Sequence, residues 1–184
     1  MGRICLCIAS LTLLLSIASA QDCKKLDYGS DLQKYMEGQV QQFSSCHAGS
    51  HDAACSAYLA QALDRLYGVK DFGGAKYMTP SEIGKKVASD AAWEHLGSAT
   101  DQEALKKAQG NAGCGRAVIA VMASDTGGHV AIILPGPTSH SNGWKLDVPN
   151  SASFFMHNPG KSFSGKPLSY SFPKPDGIEL YAKK

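Results

Sequence analysis

The sequence predicts a single α+β domain, with N-terminal helices packed on a C-terminal antiparallel sheet. Three observations carry this. The chain has 184 residues, 43% apolar and 18% charged, enough apolar material for one core and too ordinary a mixture for a disordered or low-complexity chain. Apolar residues before Gly110 recur at three- and four-residue steps, the spacing of a helix face. After the glycine-rich stretch Gly110–Gly115 they fall into short runs separated by turn residues, as strands do.

The first 20 residues read as a secretory signal: Arg3 supplies the positive charge, Ile4 to Ile17 the apolar run, and Ala18-Ser19-Ala20 the small residues before a cleavage site. The expected organisation is therefore a signal peptide over 1–20 and one domain over 21–184. The apolar run is shorter than the ~20 residues a spanning helix needs, so the processed protein is expected outside the cell, with no membrane partner. Losing Arg3 leaves 17 basic against 16 acidic residues, too even a balance for phosphate contacts to dominate binding. Nucleic acid is excluded as the expected partner. Cys5 and Cys7 leave with the signal, and Cys23, Cys46, Cys55 and Cys114 remain in an oxidising compartment that favours pairing.

Leu32, Tyr35, Met36, Val40 and Phe43 mark one face of a first helix. A second is expected from Ala53 to Tyr67, with Cys55, Tyr58, Leu59, Ala62, Leu63 and Leu66 on one stripe, Asp52 as its N-cap and Gly68 at its end. Thr79-Pro80-Ser81-Glu82 has the form of a capping box with proline at the first helical position, and Thr100 and Glu103 repeat the spacing. Ala117–Met122, His129–Leu134 and Gly143–Val148 are the expected strands, the first two joined by a turn at Asp125–Gly128. Tyr170 and Ile178–Tyr181 fall in final strands.

A thiol is nucleophilic as thiolate, which a helix N-terminus and a neighbouring imidazole both favour. Cys55 stands in the first turn of the expected second helix on its inward stripe, and His129 opens a strand after Gly127-Gly128, where a side chain absent from the backbone permits close approach. A third polar group normally orients the base. Asp147, Asn150 and Ser153 are the options, and Asn150, just beyond Pro149, is preferred because it can bond the ring without adding a charge.

Ala54-Cys55-Ser56-Ala57-Tyr58-Leu59 at a helix start, followed by Gly128-His129-Val130-Ala131-Ile132 on a strand, resembles the NlpC-type papain-like cysteine amidases. Together with the export signal it is most similar to the type VI secretion amidase effectors and their secreted eukaryotic relatives, the domesticated amidase effectors. The resemblance covers about Ala53 to Val148. It implies a papain-like (NlpC-type) fold and hydrolysis of peptides in bacterial peptidoglycan, with antibacterial effect. Cys55 would attack the carbonyl, His129 would move the proton, Asn150 would be the third residue, and an acyl-thioester would be hydrolysed by water. The backbone amide of Cys55 would donate to the oxyanion. No cofactor or metal is implied; the partners are cell-wall peptides and a cognate inhibitor, and the protein is expected to be a monomer. The pattern departs from the family at Ala54, where Asp or Asn is common, and in the long stretch Pro135–Gly143.

Simpler readings stand beside these. Cys55 is equally the kind of residue found in a structural disulfide, and the rival function is a secreted binding or inhibitory module with all four cysteines bridged and no catalysis. Another papain-like chemistry, such as transglutamination, would use the same pair. Cys46, His47, His51 and Cys55 contain a zinc-like set of residue types, but structural sites usually draw ligand pairs from separate segments. Lys161–Lys166 could meet an anionic polymer, although loop lysines are solvent-facing by default. His140 and His157 read as solvated, and Trp93 and Trp144 as core residues rather than sugar platforms.

Overall fold

Two consecutive strands decide the architecture, because they are apolar on both sides. Ile119, Val121, Val130 and Ile132 point one way, Val118, Ala120, Ala131 and Ile133 the other, and all eight are buried. Such strands need a packed layer on each face.

The computed structural model describes residues 23, 30–48, 57–73, 78–124 and 127–184. The expected signal peptide, Asp52, Ala53, Ala54 and Cys55 lie outside them. Four helices are described, α1 (Ser30–Ala48), α2 (Tyr58–Tyr67), α3 (Pro80–Ser89) and α4 (Gln102–Gly113), with strands β1 (Trp93–Ser98), β2 (Val118–Ser124), β3 (Gly127–Ile133), β4 (Ser139–Ser141), β5 (Leu146–Val148), β6 (Asn150–Ser153), β7 (Phe163–Pro167) and β8 (Ile178–Lys183). Six strands form one sheet in the order β1-β8-β2-β3-β6-β7, antiparallel throughout, while β4 and β5 pair separately. The chain is thus α+β.

Helices α1, α2 and α3 cover one face. Met36 and Phe43 of α1, Leu63 of α2 and Ile83 and Val87 of α3 join Ile119, Val121, Val130 and Ile132 in one apolar cluster. The other face takes α4, whose Ala104, Ala108 and Ala112 lie with Val118, Ala131 and Ile133. Small side chains bring α4 close: a Cβ at Gly97 of β1 would stand 2.9 Å from that of Ala104. The helices are therefore not all on one side, and β1 falls between α3 and α4 in sequence rather than after the helices.

Local signals act largely where expected. Thr79 accepts from the Glu82 amide at 3.2 Å and the Glu82 carboxylate accepts from the Thr79 amide at 2.7 Å, closing the capping box of α3. At α4 the cap is Asp101, which accepts from the Glu103 amide at 2.9 Å. Thr100 instead pairs its hydroxyl with Ser98 at 3.0 Å, since the more strongly accepting carboxylate stands one residue on. Gly143 to Lys145 belongs to the turn between β4 and β5, so only Leu146–Val148 of the expected strand pairs. Tyr170 ends a 3-10 turn, Leu168–Tyr170.

Cys23 is bridged to Cys114, the C-cap of α4, across 91 positions. Cys46 is disulfide-bonded as well; the other two described cysteines bond each other, so its partner lies outside the described residues. Trp93 and Trp144 are both buried, and Trp93 donates from Nε1 to Asp71 at 2.8 Å.

Candidate functional site

His129 enters the structure through a backbone that only glycine tolerates. Gly128 has φ +92°, and a Cβ there would meet the Met122 carbonyl oxygen at 2.5 Å, so β3 is pressed onto β2 immediately before the histidine. Alternation then sends His129 to the side of Ala131 and Ile133. Its ring stacks on Phe155 (centroids 4.5 Å apart, planes 5° apart) and meets Phe172 edge-on at 5.3 Å.

These neighbours fix the plane of a half-buried imidazole, and the apolar surroundings disfavour its charged form. Burial pushes its pKa down from 6.5 to about 4, so the ring is neutral near pH 7. Nε2 lies 3.1 Å from the Ser153 hydroxyl. No described residue hydrogen-bonds Nδ1.

Ser153 belongs to a chain of buried hydroxyls. It donates to Ser171 at 2.7 Å; Ser171 lies 3.4 Å from Ser151, and Ser151 donates to the Lys166 carbonyl at 3.0 Å. Ser151 and Ser153 sit two apart on β6 and so share a face. The pairing of β6 with β7 shifts between Ser151 and Ala152, with Gly165 as the extra residue at φ +76°. That bulge sets the Lys166 carbonyl opposite Ser151.

The other sequence-predicted residues are placed elsewhere. Asn150 lies next to Leu134, whose amide its carbonyl accepts, while β3 and β6 run antiparallel. Leu134 lies five positions after His129, on the order of 16 Å at the usual rise per residue. Asn150 donates from Nδ2 to the Pro135 carbonyl at 3.0 Å and accepts from the Ser151 amide at 3.1 Å, which shapes the loop after β3. Asp147 pairs with His140 at 2.9 Å on the exposed β4–β5 hairpin and is held by Gln102. Of the three options for orienting His129, the structure brings only Ser153 to the ring.

Cys55 lies outside the described residues, and α2 as described begins at Tyr58 with Ala57 as its N-cap. The first turn of α2 packs on the sheet face opposite His129. The two faces meet beyond β6, where Phe154 turns to Phe43 and Tyr58 while its neighbour Phe155 stacks on His129. Of the zinc-like set, the Cys46 sulfur is committed to a disulfide, and no group of three or more metal-ligating side chains occurs among the described residues.

Sequence reasoning did not single out Ser151 or Ser171. The signal for Ser151 was present in Asn150-Ser-Ala-Ser153, where two hydroxyls recur at the strand period; Ser171 comes from a distant turn, which no local pattern announces.

Compared with protein-family models and with curated proteins, the chain matches none.

Proposed function

We propose that the protein is a secreted papain-like cysteine hydrolase of the NlpC type that cleaves peptides of bacterial peptidoglycan, with Cys55 as nucleophile and His129 as base. The observation that carries this reading is the state of His129: neutral at pH 7, fixed in plane by two aromatic rings, one nitrogen engaged by Ser153 and the other without a described partner. That is the condition of an imidazole able to take a proton from a nucleophile. The sequence around Cys55 and His129 supplies the rest.

In this mechanism the Cys55 sulfur bonds to the scissile carbonyl carbon while Nδ1 of His129 takes the thiol proton. The carbon–nitrogen bond then breaks and the leaving amine receives that proton. Water attacks the acyl-thioester, gives its proton to His129 and releases the acid, and the proton returns to the sulfur. A ring of this pKa is a weak base alone, but the thiolate formed beside it favours the imidazolium, so the two titrate as a pair.

One observation favours a second reading, the bridged binding or inhibitory module. Cys46 is disulfide-bonded, and in a chain processed after Ala20 the cysteine left over for it is Cys55. The hydrolase reading therefore expects turnover to require a thiol reductant, which frees the Cys55 sulfur. The test is mass spectrometry of muropeptides from purified peptidoglycan treated with the mature protein, with and without dithiothreitol, beside Cys55→Ala. New peptide termini only with the unmutated, reduced protein establish the hydrolase and name its bond. No release from reduced, folded protein rejects it in favour of the binding module.

A further inference from the structure

The hydroxyl chain behind His129 has a direction, which follows from where it ends. A carbonyl oxygen carries no proton, so Ser151 must donate to Lys166. Ser151 then has only lone pairs to offer, and Ser171 must donate to it across the 3.4 Å contact. Ser171 in turn has only lone pairs for Ser153, which agrees with the 2.7 Å bond donated by Ser153. With its single proton spent, Ser153 can only accept from the ring. The proton of the 3.1 Å contact therefore sits on Nε2.

We propose that Ser153, backed by Ser171 and Ser151 and anchored on the Lys166 carbonyl, is a positioning residue that holds His129 as the Nε2–H tautomer and leaves the Nδ1 lone pair as the site of proton acceptance. The tautomer assignment stands on the hydrogen-bond geometry; its use in peptide hydrolysis rests on the function proposed above. The chain consists of neutral groups, so it orients the imidazole without the charge an aspartate would bring into the apolar layer. Its three serines are all buried, and a buried hydroxyl with its proton committed does not exchange roles as a solvated one does.

The chain predicts different outcomes for its links. Ser153→Ala removes the acceptor and leaves Nε2–H unpaired, so the ring redistributes toward Nδ1–H. Ser171→Ala keeps Ser153 but frees its proton, which can then be donated to Nε2 and drive the ring to Nδ1–H. Ser153→Thr retains the hydroxyl and restores the Nε2–H form.

The experiment is nitrogen-15 NMR of ring-labelled histidine in the intact mature protein at pH 7, with the His129 resonance assigned by its loss in His129→Gln. The expected result is one Nε2–H tautomer in the unmutated protein and in Ser153→Thr, with a majority shift to Nδ1–H in Ser171→Ala. An Nδ1–H ring in the unmutated protein, or an unchanged tautomer in folded Ser171→Ala, overturns the proposal. Because the reading uses no substrate, it is independent of whether the protein is a hydrolase. If muropeptide release is also observed, Ser171→Ala is expected to lower kcat about tenfold or more with KM unchanged, a split that a purely structural role would not produce.

Discussion

The two faces of the sheet are built from different materials. Under α1, α2 and α3 the layer is filled by large apolar side chains, among them Phe43, Phe72, Met36 and Leu63, each no more than 1% exposed. Under α4 the layer is richer in alanine, with Phe172 and Trp144 as its large aromatics, and the buried polar side chains among the described residues belong to it: Ser151, Ser153 and Ser171 behind His129, and Ser141 beside Trp144. The first face holds the fold by excluding water. The second holds three hydroxyls and one imidazole nitrogen in a connected set of hydrogen bonds, and a buried hydroxyl left unpartnered there would cost about 1–3 kcal/mol. The large aromatic contacts of the helices and the hydroxyl chain at His129 thus lie on opposite sides of the same strands.

Truncating the first face should give the largest effect. Phe43 is fully buried and meets Tyr58 and Phe154 edge-on, so Phe43→Ala is expected to lose about 3–5 kcal/mol of stability, read as a fall in the urea midpoint. The His129 tautomer in the protein that remains folded should be unchanged. A change in tautomer would show that the faces are coupled.

The second face should be exposed by acid. The folded pKa of His129, about 4, lies below its ordinary 6.5. Between those values the unfolded chain binds more protons, so stability is full above about pH 6.5 and falls as the pH drops toward about 4. The loss reaches at most about 3 kcal/mol. His129→Phe keeps the stacking and removes the titration, so the difference between the two proteins in urea unfolding at pH 7 and pH 4.5 isolates this residue. Parallel curves would contradict a buried, neutral ring.

A smaller effect belongs to the periphery of the first face. Thr79→Ala opens the capping box of α3 and is expected to cost about 1 kcal/mol at every pH, with no change in the His129 resonance.

The same contrast explains what the sequence reveals. The first face was legible because large apolar residues at helical spacing have few alternatives: Met36 and Phe43 are where the three- and four-residue steps place them, and the apolar runs at Ala117–Met122 and His129–Leu134 fall largely in β2 and β3. The strands that were not expected, β1, β4, β6 and β7, lack that signal. Trp93-Glu-His-Leu-Gly-Ser98 buries only Trp93 and Leu96, and Asn150-Ser-Ala-Ser153 is polar or small at every position. The strand conformation of β1 and β6 comes from pairing with β8 and β3, and that of β7 from pairing with β6, a tertiary cause that outweighs local propensity. His129 was legible from the glycines before it. Asn150 was preferred over Ser153 and Asp147 because choosing correctly among them required the register of β6 on β3, which no local spacing supplies.

The central claim is that the Nδ1 lone pair of His129 serves the sulfur of Cys55. The most direct measurement is the rate at which Cys55 is alkylated by iodoacetamide in the reduced mature protein at pH 7, followed by peptide mapping, beside His129→Ala. The account predicts that Cys55 reacts faster than Cys46 in the unmutated protein and slows at least tenfold in the variant, because the imidazole no longer stabilises the thiolate. Equal rates for Cys55 in the two proteins would contradict it.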